Sequence, residues 1–534
     1  MTIDLPSRVG GAQLTSSGPD AVVTPHYLAT RAGTTVLNNG GNAVDAAIAA
    51  NAALGVVAPE TCGIGGDLFA LVHLRHANEP AALNATGRAG SGAEADAVRA
   101  EGLRAIPVHS PWAVSVPGCV DGWFALHDRY GSLPFTDVLA PAIGLGRDGF
   151  AVSPELARSL ARLADVLGPQ ASGRSLYPDG LAPAPGDVLR RNDLADTLQR
   201  ITREGREAFY SGAVAAALVA ATGGIVTEED LAANRAEWTE ALALEIMGHT
   251  GWTIPPNSQG YLTLAACWIF EQLDPPRDPA DPRFTHAAIE AYRSVAWERD
   301  RLVADPDHCE LAPERLLEQG RLAQNLERID MNRRTDWPAP RPAPGGTAYL
   351  CVWDTSGMGV SLIQSNYHGI GSGIGVGTAG FFLHDRGSGF TLAPGHPNEL
   401  APGKRPLHTL SPSLWTQDGD LSMLLGTRGG DYQPQTLLQM TAYLLWANAT
   451  PEEAQLLPRW VTGVNADDAT NVSHEPLFGD AHRAELVRRG HRMEATTGWM
   501  SGWGPVSLAA AAAGVAGAAD PRVATTHALS SSPG

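Results

Sequence analysis

Four prolines alternate through Pro338, Pro340, Pro342 and Pro344; Gly345 and Gly346 follow, and the apolar run T-A-Y-L-C-V-W-D begins at Thr347. Each proline lacks a backbone donor, so the run can neither continue a helix nor fill a central strand. It predicts an extended, exposed segment. The two glycines relax the backbone at its end. A hydroxyl residue then opens a strand. If the Gly346–Thr347 bond is cut, Thr347 gains a free α-amine beside its own hydroxyl, so nucleophile and base share one residue. Read alone, these residues also suit an ordinary loop before a strand.

The chain has 534 residues, 44% of them hydrophobic and 18% charged, enough for two or three domains or one large layered one. A formal net charge of −19 argues against nucleic acid and anionic membrane as partners, because both need basic patches. The five cysteines (Cys62, Cys119, Cys267, Cys309 and Cys351) show no metal-ligand spacing and read as free thiols in a reducing compartment. The first thirty or so residues hold no apolar core of signal-peptide length. Nor does any stretch of about eighteen apolar residues occur. The expectation is a soluble cytoplasmic protein.

Residues 1–20 read as loose. In G-G-N-A-V-D-A-A-I-A-A-N-A-A-L-G-V-V, Asn42 caps a helix whose first turn carries Asp45. This helix is apolar almost all round and so buried, with Gly55 as its expected stop. A Gly-rich turn at Gly63, Gly65 and Gly66 then feeds a strand; a dinucleotide-binding turn would instead join strand to helix. Helices are expected over 131–170 and 190–222, after the loop I-P-P-N-S-Q-G, and from H-A-A-I-E to Asp305-Pro306. Beyond Thr347 two strands flank the turn T-S-G. Gly369, Gly371, Gly373, Gly375 and Gly377 recur with period two, which predicts one face of an extended segment. S-M-L-L-G-T-R-G-G-D-Y reads as strand, glycine turn, helix, with Gly429-Gly430 able to present N–H groups to an anion. The Ala-rich tail from Ala509 is expected to fray. Helix-rich first and β-rich second, the chain suits two stacked sheets with helices outside.

These blocks, taken in order, resemble the γ-glutamyltransferase family of N-terminal-nucleophile hydrolases. The likeness runs from about Ala21 to Asp520. It rests on G-G-N-A-V-D-A-A-I-A, C-G-I-G-G-D, S-V-P-G-C-V-D-G-W, the Gly346-Thr347 junction, G-S-G-I, K-R-P-L-H-T-L-S-P and R-G-G-D. The resemblance implies an α+β fold, a four-layer αββα sandwich of two antiparallel sheets. It also implies a precursor that cuts itself into a large subunit, 1–346, and a small subunit, 347–534, held as one intertwined heterodimer. No metal or organic cofactor is implied. Thr347 then matches the nucleophile, its amine (reference pKa about 7.7–8.0) the base. Ser365 stands where the family has a threonine hydroxyl near the nucleophile, and Gly429 and Gly430 match the oxyanion glycines.

The substrate positions depart from the γ-glutamyl pattern. Thr86 stands where family members hold the α-carboxylate with arginine, and Arg88 comes two places later. Gly389 replaces the aspartate that binds the α-amine. Tyr367 stands for asparagine, and His408-Thr409 for a serine pair. Without the aspartate an ammonium would enter a closed site unpaired, which is costly. The cations expected at the pocket are Arg88, Arg386, Arg428, His368 and His408, and arginine grips a carboxylate through two parallel bonds. The expectation is therefore an acyl-enzyme amidohydrolase or acyltransferase acting on a small acid-bearing acyl group, oxalyl or dicarboxylic, instead of glutathione. Three alternatives stay open: a C–C bond hydrolase of an antibiotic pathway using the same threonine, an ordinary γ-glutamyl hydrolase or transferase, and an inactive scaffold.

Overall fold

The structure, a computed structural model, describes residues 6–338, 345–463 and 468–531. Most of the proline run, 339–344, where an extended conformation is expected, lies outside the described residues.

Alternation of side chains builds the layers. In the strand Gly346–Trp353, Ala348, Leu350 and Val352 face one apolar cluster, and Tyr349, Cys351 and Trp353 face another. Both faces are apolar because both are covered, as a central strand of a layered fold requires. The strand belongs to a seven-stranded antiparallel sheet ordered His527–Leu529, Ala21–Thr24, Gly346–Trp353, Gly359–Tyr367, Asp67–His73, Ala81–Ala85, Glu237–Thr239. A second seven-stranded antiparallel sheet runs Thr15–Gly18, Gly514–Ala519, Val506–Ala512, Asp420–Thr427, Ser413–Gln417, His249–Thr253, Leu242–Ile246. Phe69, Tyr349, Ile363, Leu414 and Leu424 fill the space between the sheets. Helix Ala43–Val57 packs on the outer face of the first sheet, and helices Tyr261–Gln272 and Gln433–Thr441 on that of the second. The four-layer αββα sandwich is thus present.

Asn42 caps helix Ala43–Val57 through a full capping box with Asp45, and every residue of the helix is buried. Gly55 does not stop it. The helix runs on to Val57, and Gly55 is accommodated because its carbonyl takes a hydrogen bond from Arg191 Nη1 at 2.8 Å. Two other expectations are corrected. The glycines from Gly369 to Gly377 form a loop, with φ positive at Gly369, Gly371, Gly373 and Gly377, so their period of two reflects repeated left-handed turns. The Ala-rich tail does not fray: Val506–Ala512 and Gly514–Ala519 are paired strands, Thr15–Gly18 joins them, and His527–Leu529 edges the other sheet. Small residues are needed there, since a Cβ on Gly517 would meet Ser16 Oγ at 2.5 Å.

Candidate active site

The register between Gly346–Trp353 and Gly359–Tyr367 breaks at Thr347. Gly346 pairs with Tyr367 and Ala348 with Gln364, which leaves the facing strand one residue longer there. Such an irregularity re-aims side chains. Thr347 is buried, and its Oγ1 donates to Ser365 Oγ at 3.3 Å. Ser365 Oγ in turn donates to the carbonyl of Gly346 at 2.5 Å. It also accepts from Tyr367 N at 2.8 Å and Arg386 Nη2 at 3.4 Å. One serine hydroxyl therefore links the threonine hydroxyl to the carbonyl of the peptide bond before it.

Only glycine fits on the far side of that bond. A Cβ on Gly346 would lie 2.9 Å from Gly369 N and 3.0 Å from Glu60 O. Gly345 rests on the Gly429-Gly430 turn, where a Cβ would come within 3.1 Å of Gly430 Cα. Gly429 and Gly430 take φ of 121° and 58°, values that favour glycine. Gln259 ties the turn to the next segment, its Nε2 donating to Gly430 O (3.2 Å) and Thr409 O (3.0 Å).

Behind Ser365 lies a fully buried ionic cluster. Asp67 Oδ2 sits 2.9 Å from His408 Nε2, 3.1 Å from His384 Nδ1 and 3.5 Å from Arg386 Nε, and all four side chains are sealed from solvent. Arg386 also reaches Thr409 Oγ1 at 3.4 Å and lies 3.9 Å above the Tyr367 ring. Tyr367 itself is at φ 73°, a strained position for an aromatic residue. Burial opposes the charge on Asp67, yet the two histidines hold its carboxyl well below the usual range. Burial and Arg386 push His408 down to about 3, so it is neutral; against burial, Asp67 holds the His384 imidazole up. The cluster therefore carries Asp67 as the anion and Arg386 as its fixed cation.

The structure thus brings together Thr347, Ser365, Gly346, Gly429, Gly430, Tyr367, Arg386, His408 and Thr409. Arg386 and His408 are reached through the protein interior, not from solvent. Arg88 stands elsewhere: it pairs with Asp305 at 3.1 Å and Glu237 at 3.3 Å and lines a separate pocket with Arg405. Thr86 is likewise tied, its hydroxyl 2.6 Å from Asn84 Oδ1. Gly389 lies beside Tyr367, 4.0 Å from the position a Cβ would take.

Gly345 and Gly346 line a wide, open cleft of about 610 Å³. Its walls carry His368, held by Asp385 at 3.0 Å, and Arg428, bound by both its terminal nitrogens to Glu155 at 2.9 and 3.2 Å. They also carry Glu60, Arg158 and Arg162, three residues that the sequence reading did not single out. Burial, with Glu155 adding to it, pushes the Glu60 carboxyl up to about 8, and among the described residues its Oε2 has no hydrogen-bond partner. Arg158 and Arg162 belong to helix Pro154–Leu167, and no local motif marks them.

One trio outside this region could hold a metal by its geometry: His286, Glu290 and His491, all buried, with ligand atoms within 4.8 Å of one another. Its bonds are already internal. His286 Nδ1 meets His491 Nε2 at 2.8 Å, and His286 Nε2 donates to Asp330 O at 3.1 Å. Glu290 Oε2 accepts from Thr335 N at 3.0 Å and Trp337 Nε1 at 3.3 Å. The trio anchors the chain just before the proline run.

The gamma-glutamyltranspeptidase family model matches residues 29–530. The chain is 36% identical over 481 residues to the glutathione hydrolase-like YwrD proenzyme of Bacillus subtilis, covering 89% of this chain and 91% of that one. It is 35% identical over 483 residues to the oxamate amidohydrolase proenzyme of Klebsiella pneumoniae, covering 88% and 90%. The crystal structure of cephalosporin acylase from Bacillus halodurans superposes with a TM-score of 0.90 at 32% identity, over 100% of this chain and 99% of that one. With its sandwich and its Gly-Thr junction, the chain belongs to the gamma-glutamyltranspeptidase family and is an N-terminal-nucleophile enzyme of the hydrolase and acyltransferase type.

Proposed function

We propose that Thr347 is the nucleophile of a self-cleaving amidohydrolase that acts on an acid-bearing acyl group in place of γ-glutamyl. The observation that carries this reading is the pair of hydrogen bonds at Ser365 Oγ, which accepts from Thr347 Oγ1 and donates to Gly346 O. In the uncut chain Thr347 Oγ attacks the Gly346 carbonyl carbon, and its proton passes toward Ser365. The carbonyl becomes an oxyanion facing the Ser365 hydroxyl, with the Arg386 guanidinium behind it. The C–N bond breaks as that proton is relayed through Ser365 to the nitrogen, which leaves an ester on Thr347 Oγ and a free α-amine. Water then releases the Gly346 carboxylate. In the mature enzyme the α-amine takes the hydroxyl proton, Thr347 Oγ accepts the acyl group, and Gly429 and Gly430 are positioned to offer N–H groups to the oxyanion. Losing one such donor typically costs about 10²–10³ in rate.

Two observations support the acid-bearing substrate. Thr86 and Gly389 leave a γ-glutamyl group without its two usual partners. A site missing the partner for a polar group discriminates against ligands that carry it. The oxamate amidohydrolase relative is named for an amide whose acyl group bears a carboxylate and no ammonium.

The test is a denaturing gel followed by Edman sequencing. The wild type should give bands of about 36 and about 20 kDa, by residue fraction of the 56.0 kDa chain. The smaller should begin T-A-Y-L-C, while Thr347→Ala should stay one band. An active wild type that runs as a single full-length band would sink the mechanism.

A further inference from the structure

Helix Pro154–Leu167 starts at Ser153, whose side chain accepts from Leu156 N at 3.0 Å, with a proline at its first position. Leu156, Ala157, Leu160 and Leu167 turn inward, while Arg158 and Arg162, four residues apart, share the exposed face. That face lines the cleft onto which Gly345 and Gly346 open. Arg158 Nε donates to Pro154 O at 3.2 Å, and among the described residues neither guanidinium has a carboxylate within ion-pair reach. The acidic wall residue Glu155 is bonded by Arg428 and acts on Arg158 only through space. Glu60 keeps its proton near neutral pH. The cleft wall is therefore locally cationic in a chain whose formal net charge is −19. Two unpaired like charges on one helix face repel each other. An anion between them would relieve that repulsion and could take paired bonds from either fork.

We propose that Arg158 and Arg162 form an anion subsite that takes a carboxylate carried several bonds from the scissile carbonyl, as in a succinyl or glutaryl group. This deepens the reading of Thr347 as nucleophile and rests on it. The reasoning is geometric. The substrate's acyl carbon must stand where the Gly346 carbonyl carbon stands in the uncut chain, and the rest of the acyl group runs out along the path of Gly345, into the cleft. A carboxylate on the adjacent carbon, as in an oxalyl group, would stop beside Ser365. One at the end of a longer chain reaches the helix. Long-range attraction is opposed by the protein's overall negative charge, so the subsite acts at short range, and salt screens it.

Two readouts test the subsite on the mature wild type and the Arg158→Ala/Arg162→Ala variant, both substitutions being at exposed positions. The first needs no turnover: calorimetric titration with glutarate. The wild type should bind, more weakly as salt rises, and the variant should bind tenfold more weakly or worse. The second compares glutaryl-p-nitroanilide with the neutral valeryl-p-nitroanilide. The variant should raise KM for the glutaryl substrate at least tenfold, hold kcat, and leave the valeryl substrate unchanged. Equal glutarate binding by the two proteins, or equal losses on both anilides, overturns the subsite. If the wild type cleaves neither anilide yet loses glutarate binding with the arginines, the subsite stands and the reaction assigned to Thr347 falls. If it cleaves the valeryl anilide but binds no glutarate, the subsite falls and Thr347 keeps its role.

Discussion

Glu60 holds its proton at a pH where most carboxylates have lost theirs. Its side chain is buried at the cleft wall, Glu155 repels its charge, and Arg428 and Arg191 offset only part of this, which leaves the carboxyl at about 8. The linkage follows from the direction of the shift. The ordinary value is 4.5, so the folded state binds the proton more tightly than the unfolded one. The stability this contributes is complete below pH 4.5 and lost as pH rises through about 8. Glu60→Gln keeps the shape and removes the titration. Between pH 5 and 9 the wild type should lose stability relative to Glu60→Gln, by on the order of 3–4 °C in Tm. Melts that run parallel across that range would mean that Glu60 titrates as an exposed acid does. In turnover, ionised Glu60 adds a negative charge to the cleft, so KM for an acidic acyl substrate should climb above pH 8 in the wild type and stay flat in the variant.

At the scale of elements, the site depends on one residue at the start of a strand. Asp67 opens the strand Asp67–His73 and stands opposite Ser365 in the register. His384, Arg386 and His408 come to it from segments that follow the strand Gly346–Trp353 in sequence. Removing the anion would leave Arg386 buried and unpaired, a loss of about 3–5 kcal/mol for such clusters. Asp67→Asn should therefore fold poorly, melt well below the wild type and process slowly. A variant that melts within about 2 °C of wild type and cuts at the normal rate would show that the cluster does not position Ser365. This cluster also marks the limit of what the sequence discloses. Asn42 with Asp45, Gly346 with Thr347, and Gly429 with Gly430 are neighbours in the chain, so local rules recover the helix start, the strand start and the turn. Arg158 and Arg162 sit on an amphipathic helix far in sequence from Thr347, and their exposed face looks like any solvated face until the fold turns it toward the cleft. Arg88 offers the converse. It stands two places from the position that family members use, but Asp305 and Glu237 claim it. The alanine-rich strand Val506–Ala512 escapes propensity because its ladders to Asp420–Thr427 and Gly514–Ala519, not intrinsic preference, hold it extended.

At the scale of the whole molecule, the segments on either side of Gly346 are woven through both sheets. Gly346–Trp353 lies between Ala21–Thr24 and Gly359–Tyr367, and Asp67–His73 pairs with the far edge of Gly359–Tyr367. His527–Leu529 closes on Ala21–Thr24, while Thr15–Gly18 pairs with Gly514–Ala519. The core between the sheets draws Phe69 and Trp252 from before the junction and Tyr349, Ile363, Leu414 and Leu424 from after it. Pulling residues 347–534 away would break ladder hydrogen bonds on both sides of a central strand and expose two of the apolar layers at once. Every apolar cluster of the described residues draws side chains from both fragments, so separation and unfolding should be the same event. Cutting the Gly346–Thr347 bond should therefore leave the mass of the native particle unchanged except for one added water. Native mass spectrometry and size-exclusion chromatography of the cut protein should show both fragments in one species that persists on dilution, and thermal unfolding should show a single transition. Release of a folded fragment of about 20 kDa under native conditions would contradict the interleaving and would require each segment to carry an independent core.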